Sequence, residues 1–294
     1  MGRLSDAWNR AEAESLEVVA SSTGTVCEPD LAQCPAPSAT PTLEDTSAAE
    51  ARGFSTASRG NQPGAFPREW SPDPHRLVFL NGNGNGSKRH ESVAQHFRAV
   101  SSQLYKIRQV RPISSILVSS AMSKEGRSFV AANLSHALAQ QPDKHVLLID
   151  GDMRKPALHD YFGASAEPGL SDYLAGRVDA GAVIQRGPIR GLFFVPSGGA
   201  TIESAELLAN GRLKALIKRA ARFDWIVIDS PATSVACDAS IMADACDGVL
   251  LVVQATKTPA VLAERAVQQF AGRPILGAIV NRSDLFRSYR ENAR

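Results

Sequence analysis

The chain has little that marks a secreted, zinc-binding or membrane-spanning protein. Its 294 residues contain four cysteines, and none has the spacing of a C-x-x-C motif or a zinc site, which favours free thiols in a reducing compartment. No run approaches the roughly 18 apolar residues that span a bilayer, and the N-terminus has no signal-peptide pattern. A net charge of +2 is too small to argue for nucleic acid or an anionic membrane. We therefore expect a cytoplasmic protein with no nucleic-acid partner and no direct membrane insertion.

Composition divides the chain into four parts. Residues 1–20 place several apolar side chains roughly on one side of a helix, so a short N-terminal helix is predicted there. Residues 21–90 are predicted to be a disordered linker, residues 91–284 a folded domain, and residues 285–294 a basic tail. The folded domain is the part that carries the motifs described below.

The linker prediction rests on composition. Residues 21–90 are dominated by Ser, Thr, Pro, Gly and Ala, and residues 81–87 read as a flexible Gly-Asn sequence. Such a segment buries too little apolar area to offset the entropy lost on ordering. We interpret Trp70 and Phe79 as isolated aromatic residues, the alternative being a docking spot for a partner.

From residue 91 onward, strand-like and helical patterns alternate. The predicted strands are 116–119, 146–149, 192–195, 225–228, 249–253 and 275–280. The predicted helices are 91–107, 128–140, 203–221, 238–245 and 259–270. Strands that are apolar on both faces and separated by helices indicate a mostly parallel sheet covered on both sides. The predicted fold is a doubly wound α/β domain, with ligands at the carboxyl ends of the strands.

The first predicted strand runs into a partial phosphate-loop pattern. The segment matches G-x-x-x-x-G-K-[S/T] at Gly126 and Ser128, and departs from it at Ala121 and Arg127, where the pattern has Gly and Lys. Such a loop points backbone N–H groups and a helix N-terminus at phosphate oxygens, and the Ser128 hydroxyl would face Mg²⁺. The pattern predicts a phosphate-loop NTPase site that lacks the usual Lys. The alternative is an ordinary strand-to-helix turn.

Other strand ends carry further polar side chains. Asp150 and Asp152 leave one strand together, so that one carboxylate can hold hydrated Mg²⁺ while the other takes a proton from an attacking hydroxyl. Arg154 would face phosphate or a carboxylate. Asp229 ends another apolar strand and would reach the metal, while Asn281 offers a donor and an acceptor that suit a purine edge. Taken singly, each of these residues is equally typical of a turn or a cap.

The order of these motifs resembles a known family. The strings are Ser-Ala-Met-x-x-Glu-Gly-x-Ser, Leu-Leu-Ile-Asp-x-Asp-x-Arg-x-Pro, Gly-Leu-Ser-Asp-Tyr-Leu-Ala-Gly, Glu-Leu-Leu and Val-Ile-Asp-Ser-Pro. They resemble the bacterial tyrosine autokinases of capsule and exopolysaccharide biosynthesis, relatives of the partition and septum-site ATPases, over roughly residues 91–283. The short N-terminal helix and long linker are similar to the cytosolic, exosortase-associated type.

This resemblance implies an ATP-dependent protein-tyrosine autokinase that regulates polymerisation and export of exopolysaccharide or capsule. It implies ATP and Mg²⁺ as cofactors, with the metal held by Ser128, Asp152 and Asp229. The catalytic residues would be Asp150, Asp152 and Arg127. The nucleotide would contact Ala121, Lys124, Glu125, Gly126, Arg127, Ser128, Phe129, Arg154 and Asn281. The implied partner is a transmembrane chain-length determinant, or polysaccharide co-polymerase, that recruits the chain to the inner face of the plasma membrane. Self-association is also implied.

Two alternatives stay open. A catalytically impaired scaffold in the same pathway is favoured by three departures from the family. Arg127 replaces the loop Lys, and of the oligomerisation motif Glu-x-x-Arg-x-x-Arg only the central Arg is kept, as Arg98. The C-terminal tyrosine cluster of the family is absent, since the tail contains one tyrosine, Tyr289. Arg for Lys is not a conservative change at a site that uses Lys as a point charge. A positioning ATPase of the partition type is the third reading, although Met122 stands where those proteins carry a second lysine.

Overall fold

The computed structural model describes residues 70–81, 88–235 and 237–282. Its strands within these ranges are β1 (Ser115–Ser120), β2 (Val146–Asp150), β3 (Gln185–Arg186), β4 (Leu192–Val195), β5 (Trp225–Asp229), β6 (Gly248–Gln254) and β7 (Ile275–Asn281). They form one sheet in the order β3-β4-β2-β5-β1-β6-β7. Every neighbouring pair is parallel except β3 with β4. The predicted mostly parallel α/β sheet is confirmed.

Helices cover both faces of this sheet. They are α1 (Lys88–Val110), α2 (Arg127–Ala139), α3 (Leu158–Phe162), α4 (Leu170–Leu174), α5 (Ala180–Val183), α6 (Ser204–Ala209), α7 (Arg212–Arg219), α8 (Asp238–Ala243) and α9 (Ala260–Gln269). Ile116 of β1 belongs to the same buried cluster as Leu134 of α2, whereas the adjacent Leu117 packs in a second cluster with Leu216 of α7. Alternate residues of one strand thus face opposite layers, as a doubly wound sheet requires.

The predicted strands lie within one residue of the observed ends, but the helix predicted over 203–221 is wrong as a single element. It is two helices, α6 and α7, separated at Asn210 and Gly211. Gly211 has φ +73°, a left-handed conformation that interrupts a helix and that glycine adopts readily. The short elements α3, α4, α5 and β3 were not predicted, because segments of two to five residues carry too little periodicity.

The prediction of disorder up to residue 90 is wrong for residues 70–81 and 88–90. Residues 78–81 form a 3₁₀ turn, and α1 begins at Lys88. Trp70 is not isolated, because its ring packs 5.5 Å from that of Phe162 and 6.0 Å from that of Phe194, and Leu77 is fully buried. The folded part therefore begins before residue 91.

Other predictions fall outside the described residues. These are the N-terminal helix over residues 1–20, the rest of the linker and the basic tail. Within residues 70–81, 88–235 and 237–282, no helix combines the length and the apolar character that a membrane crossing needs.

Candidate functional site

The loop between β1 and α2 has the geometry of a phosphate loop. Gly126 has φ +98°, and a β-carbon there would collide with the side-chain amide of Asn281, so glycine is required on both grounds. The Glu125 carboxylate accepts the N–H of Met122 at 2.8 Å, and Asn281 Nδ2 donates to the carbonyl oxygen of Glu125 at 2.8 Å. Asn281, predicted from its place at a strand end, thus supports the loop from the end of β7.

A cavity of about 240 Å³ opens beside this loop. Its walls are Met122, Ser123, Lys124, Glu125, Gln254, Lys257, Thr258 and Arg282. Three of these side chains are cationic, which suits an anionic ligand. Four of the cavity residues were not predicted from the sequence: Gln254, Lys257, Thr258 and Arg282. The end of β6 carries no acidic motif, so only its position at the carboxyl edge of the sheet could have identified it.

Asp150 is fully buried at the end of β2, beside Asp229 of β5 in the parallel register. Its Oδ1 accepts the N–H of Asp152 at 3.2 Å, and its Oδ2 accepts the N–H groups of Ala157 and Leu158 at 3.2 and 3.0 Å. Burial, and then the charge of Asp229, raise the pKa of Asp150 to about 8. Asp150 therefore holds the loop that follows β2.

Arg127, the first residue of α2, lies among the carboxylates. Its Nη2 donates to Asp152 Oδ2 at 2.9 Å, and its Nη1 donates to Ser120 Oγ at 3.1 Å. Its Nε lies 3.8 Å from Asp229 Oδ1, and the Arg127 side chain is only 9% exposed. Burial raises the pKa of Asp229 to about 6, while the Arg127 charge and the Ser128 hydroxyl oppose that rise. A cation thus joins two strand-end carboxylates.

The predicted Mg²⁺ ligands are Ser128, Asp152 and Asp229. Both oxygens of Asp152 are engaged, Oδ2 by Arg127 and Oδ1 by the N–H of Lys155 at 3.0 Å. In the part of the chain that the structure describes, no group of three or more His, Cys, Asp or Glu side chains is arranged to hold a metal ion. The Arg127 guanidinium occupies Asp152 at 2.9 Å and lies 3.8 Å from Asp229 Oδ1 without a hydrogen bond to it, so in this arrangement the donor set does not fit Mg²⁺, because a cation already stands between the two carboxylates.

Two other predicted nucleotide contacts are engaged with other side chains of the protein. Arg154 Nε donates to Asp238 Oδ2 at 3.1 Å, and the same oxygen accepts the hydroxyl of Ser204 at 2.5 Å. Arg154 therefore faces a carboxylate, which was one of its two predicted partners, and joins the loop after β2 to α8. The Phe129 ring lies 5.9 Å from that of Phe97 in α1, so its side chain packs on a helix instead of lining the cavity.

The sequence is similar to proteins named as tyrosine kinases. It is 35% identical over 171 residues to tyrosine-protein kinase CpsD of Streptococcus agalactiae serotype III (strain NEM316), covering 57% of this chain and 73% of that protein. It is 32% identical over 191 residues to tyrosine-protein kinase YwqD of Bacillus subtilis (strain 168), covering 64% and 80%. The succinoglycan biosynthesis transport protein ExoP of Rhizobium meliloti (strain 1021) is 35% identical over 176 residues, covering 58% of this chain and 22% of that protein. No protein-family model matches.

Comparison with solved structures gives the same result as comparison of sequences. The kinase domain of Escherichia coli tyrosine kinase ETK superposes with a TM-score of 0.64 and 25% identity, covering 77% of this chain and 87% of that one. The septum site-determining protein MinD of Pyrococcus horikoshii OT3, complexed with Mg-ADP, superposes with a TM-score of 0.51 and 26% identity, covering 58% and 72%. The fold is therefore shared by kinase domains and by a nucleotide-binding septum-site protein.

Proposed function

This chain belongs to the family of bacterial tyrosine-protein kinases, and we propose that it is an ATP-dependent protein-tyrosine autokinase that regulates polymerisation and export of an exopolysaccharide or capsule. The observation that carries the proposal is the phosphate loop at the end of β1, placed beside Asp152 and Asp229. Similarity over 73% and 80% of two tyrosine kinases supports the activity. The name of the succinoglycan transport relative supports the pathway.

The loop would hold the phosphates of ATP. The backbone N–H groups of residues 123–128 and the N-terminus of the 13-residue helix α2 would supply donors and a partial positive charge, whereas the N–H of Met122 is taken by Glu125. Lys124, which is exposed, would add an ammonium, and Asn281 would lie near the base. Because the carboxylates of the site do not fit Mg²⁺ as they are arranged, we assign no step of the reaction to a metal.

In the proposed transfer, a bond forms between the tyrosine oxygen and the γ-phosphorus, and the bond from that phosphorus to the bridging oxygen of ADP breaks. The proton of the tyrosine hydroxyl passes to the carboxylate pair Asp150 and Asp152. Burial raises the pKa of Asp150 to about 8, so at neutral pH Asp150 can accept that proton only in the fraction of molecules in which it is ionised, whereas Asp152 is the more exposed of the two. Arg127, whose Nη2 donates to Asp152 Oδ2 at 2.9 Å, holds that carboxylate in place.

The proposed partner is a transmembrane chain-length determinant, or polysaccharide co-polymerase, that brings a cytoplasmic kinase to the inner face of the plasma membrane. The succinoglycan transport relative supports this, because its name places a homologous domain in a polysaccharide transport protein. Such an adaptor would also explain regulation, since recruitment would concentrate kinase copies and favour phosphorylation between them.

A scaffold without phosphotransfer activity is the second candidate, and one observation favours it. Arg127 stands where the loop pattern has Lys, and its guanidinium is held on Asp152 at 2.9 Å. Loss of a Lys contact to the transferred phosphoryl group would slow transfer by roughly two to three decades. The scaffold would keep the fold and the nucleotide site while losing the chemistry.

Phosphotyrosine detection on the full-length protein tests the proposal. Wild type incubated with ATP should become phosphorylated on tyrosine, and Asp152→Asn should lose at least about 100-fold in rate. Asp179→Asn, an exposed change outside the site, is the matched control and should keep the wild-type rate. Wild type that binds ATP but forms no phosphotyrosine, even with the membrane adaptor added, would establish the scaffold instead.

A further inference from the structure

The guanidinium of Arg127 stands where the predicted metal ligands converge. It donates to Asp152 Oδ2 at 2.9 Å and lies 3.8 Å from Asp229 Oδ1. It also donates to the hydroxyl of Ser120 at 3.1 Å, so two hydrogen bonds hold the group, while its Nε faces Asp229 without one. The Asp152 and Asp229 side chains are only 11% and 1% exposed, which places the whole assembly out of bulk water.

These contacts place one positive charge between the carboxylates, where a metal ion would otherwise place two. Arg is protonated at all physiological pH values, and its planar fork suits carboxylates. Mg²⁺ needs oxygen ligands at about 2.0–2.1 Å in near-octahedral geometry. An ion bound to Asp152 would meet an oxygen already committed to Arg127, and it would face a positive charge in a site with little water to screen it. The guanidinium and the ion therefore compete for the same carboxylate.

Movement of Arg127 toward the phosphates would remove this competition, but the structure opposes it. If the Arg127 side chain moved away, the almost completely buried Asp229 would lose the cation beside it. A buried charge without a partner is strongly disfavoured. A phosphate oxygen bound by Arg127 where it lies would have to accept an N–H that the present contacts leave unused. The contacts described above use one N–H of each terminal nitrogen, and each nitrogen carries a second. The exposed Lys124 can contact the outer phosphate oxygens.

We propose that Arg127 takes the place of Mg²⁺ in this chain, so that the protein binds ATP and ADP as metal-free anions. This inference rests on the proposed nucleotide function, because it concerns the same site. It adds a specific property, which is that Mg²⁺ does not tighten nucleotide binding. The reason is that the charge between Asp152 and Asp229 is built into the first turn of α2.

Titration calorimetry of the full-length protein with ATP and with ADP tests the inference. Each nucleotide is titrated once in Mg²⁺ and once in EDTA, and the dissociation constants are compared. Wild type should give values within about threefold of each other in the two buffers. Arg127→Lys should bind at least about tenfold more tightly in Mg²⁺ than in EDTA, because the shorter ammonium cannot bridge both carboxylates. Arg177→Lys is the matched control, since Arg177 pairs with Asp172 on the surface, and it should match wild type.

Each outcome decides a different point. Wild type that binds at least about tenfold more tightly in Mg²⁺ would overturn the inference and leave the proposed kinase function standing. No binding in either buffer would overturn both. An Arg127→Lys protein that melts like Arg177→Lys yet shows no gain in Mg²⁺ dependence would show that Arg127 is not the substitute. If Arg127→Lys does not fold, the wild-type comparison alone decides whether nucleotide binding is metal-independent.

Discussion

The backbone N–H of Val78 donates a hydrogen bond of 2.9 Å to the side-chain oxygen of Asn133. The amide nitrogen of Asn133 donates in turn to the carbonyl oxygens of Arg76 and Phe129, each at 2.9 Å. Asn133 is completely buried in α2, the helix that begins at the phosphate loop. One side chain thus joins the segment 70–81 to the helix that carries the candidate nucleotide site.

Asn133→Ala should destabilise the protein by about 2–4 kcal/mol, because it leaves buried backbone groups of the segment 70–81 without partners and opens a small cavity. Urea unfolding measures the free energy of unfolding directly. Asn210→Ala is the matched control: Asn210 is exposed and bonds Leu174 and Arg212, so its loss should cost less than about 1 kcal/mol. Equal losses in the two variants would mean that the segment 70–81 is not tied to α2 in solution.

Gly187→Ala should destabilise the protein by about 1–3 kcal/mol, because a β-carbon at Gly187 would fall within the indole ring of Trp70. The backbone at Gly187 is not in the left-handed region, so the cost comes from overpacking. Thermal unfolding compares this variant with Gly199→Ala, where an added β-carbon meets only the flexible end of the Glu167 side chain. Gly199→Ala should change stability by less than about 0.5 kcal/mol. If Gly187→Ala has the same stability as the wild type, Trp70 does not pack against residue 187.

The core elements could be predicted from sequence because their signal is local. Each strand except β3 is an apolar run of four to seven residues, and such runs can be recognised in a sequence without knowledge of the strands they pair with. The segment around Trp70 could not be predicted in this way. Its Pro- and Gly-rich surroundings are typical of a linker, and the burial of Trp70 depends on Phe162 and Phe194, which lie about 90 and 120 residues further along the chain.

In the candidate site, too, features with a local sequence signal could be predicted, and features that depend on distant contacts could not. The positions of Asp150, Asp152, Asp229 and Asn281 followed from their place at strand ends, since parallel strands present those ends at one edge of the sheet. The carboxylate that pairs with Arg127 could not be predicted from strand ends. A loop pattern says which residue departs from it, but only the packed structure shows that the longer side chain reaches Asp152.

The contribution of His136 to stability should fall as the pH falls from about 6.5 to about 4, opposite in sign to the contributions of Asp150 and Asp229, whose raised pKa values favour proton uptake by the folded protein. Burial lowers the pKa of His136 from 6.5 to about 4. The unfolded chain therefore takes up a proton in that window while the native state does not, and the contribution reaches up to about 1.4 kcal/mol per pH unit. His136→Leu should remove this contribution, so that in a urea unfolding series the free energy of unfolding falls less, or rises more, as the pH falls, whereas His75→Leu, an exposed control, should leave the pH dependence unchanged. An unchanged slope in His136→Leu would contradict the prediction.

Arg127→Met should destabilise the protein by about 3–5 kcal/mol at neutral pH, because it leaves the buried carboxylates Asp152 and Asp229 without a cation. Arg177→Met, which breaks an exposed pair with Asp172, should cost no more than about 1 kcal/mol. Urea unfolding at constant pH gives both values.

The pairing itself is measured by adding Asp152→Asn to Arg127→Met. If the guanidinium stabilises the folded protein through Asp152, the double variant should lose less than the sum of the two single variants, with a coupling energy of about 1–3 kcal/mol. Additive losses would mean that Arg127 acts through packing of its aliphatic stem, and the contact at 2.9 Å would then carry no net stability. A coupling energy in the expected range would show that the cation at the first turn of α2 holds the strand ends together before any nucleotide arrives.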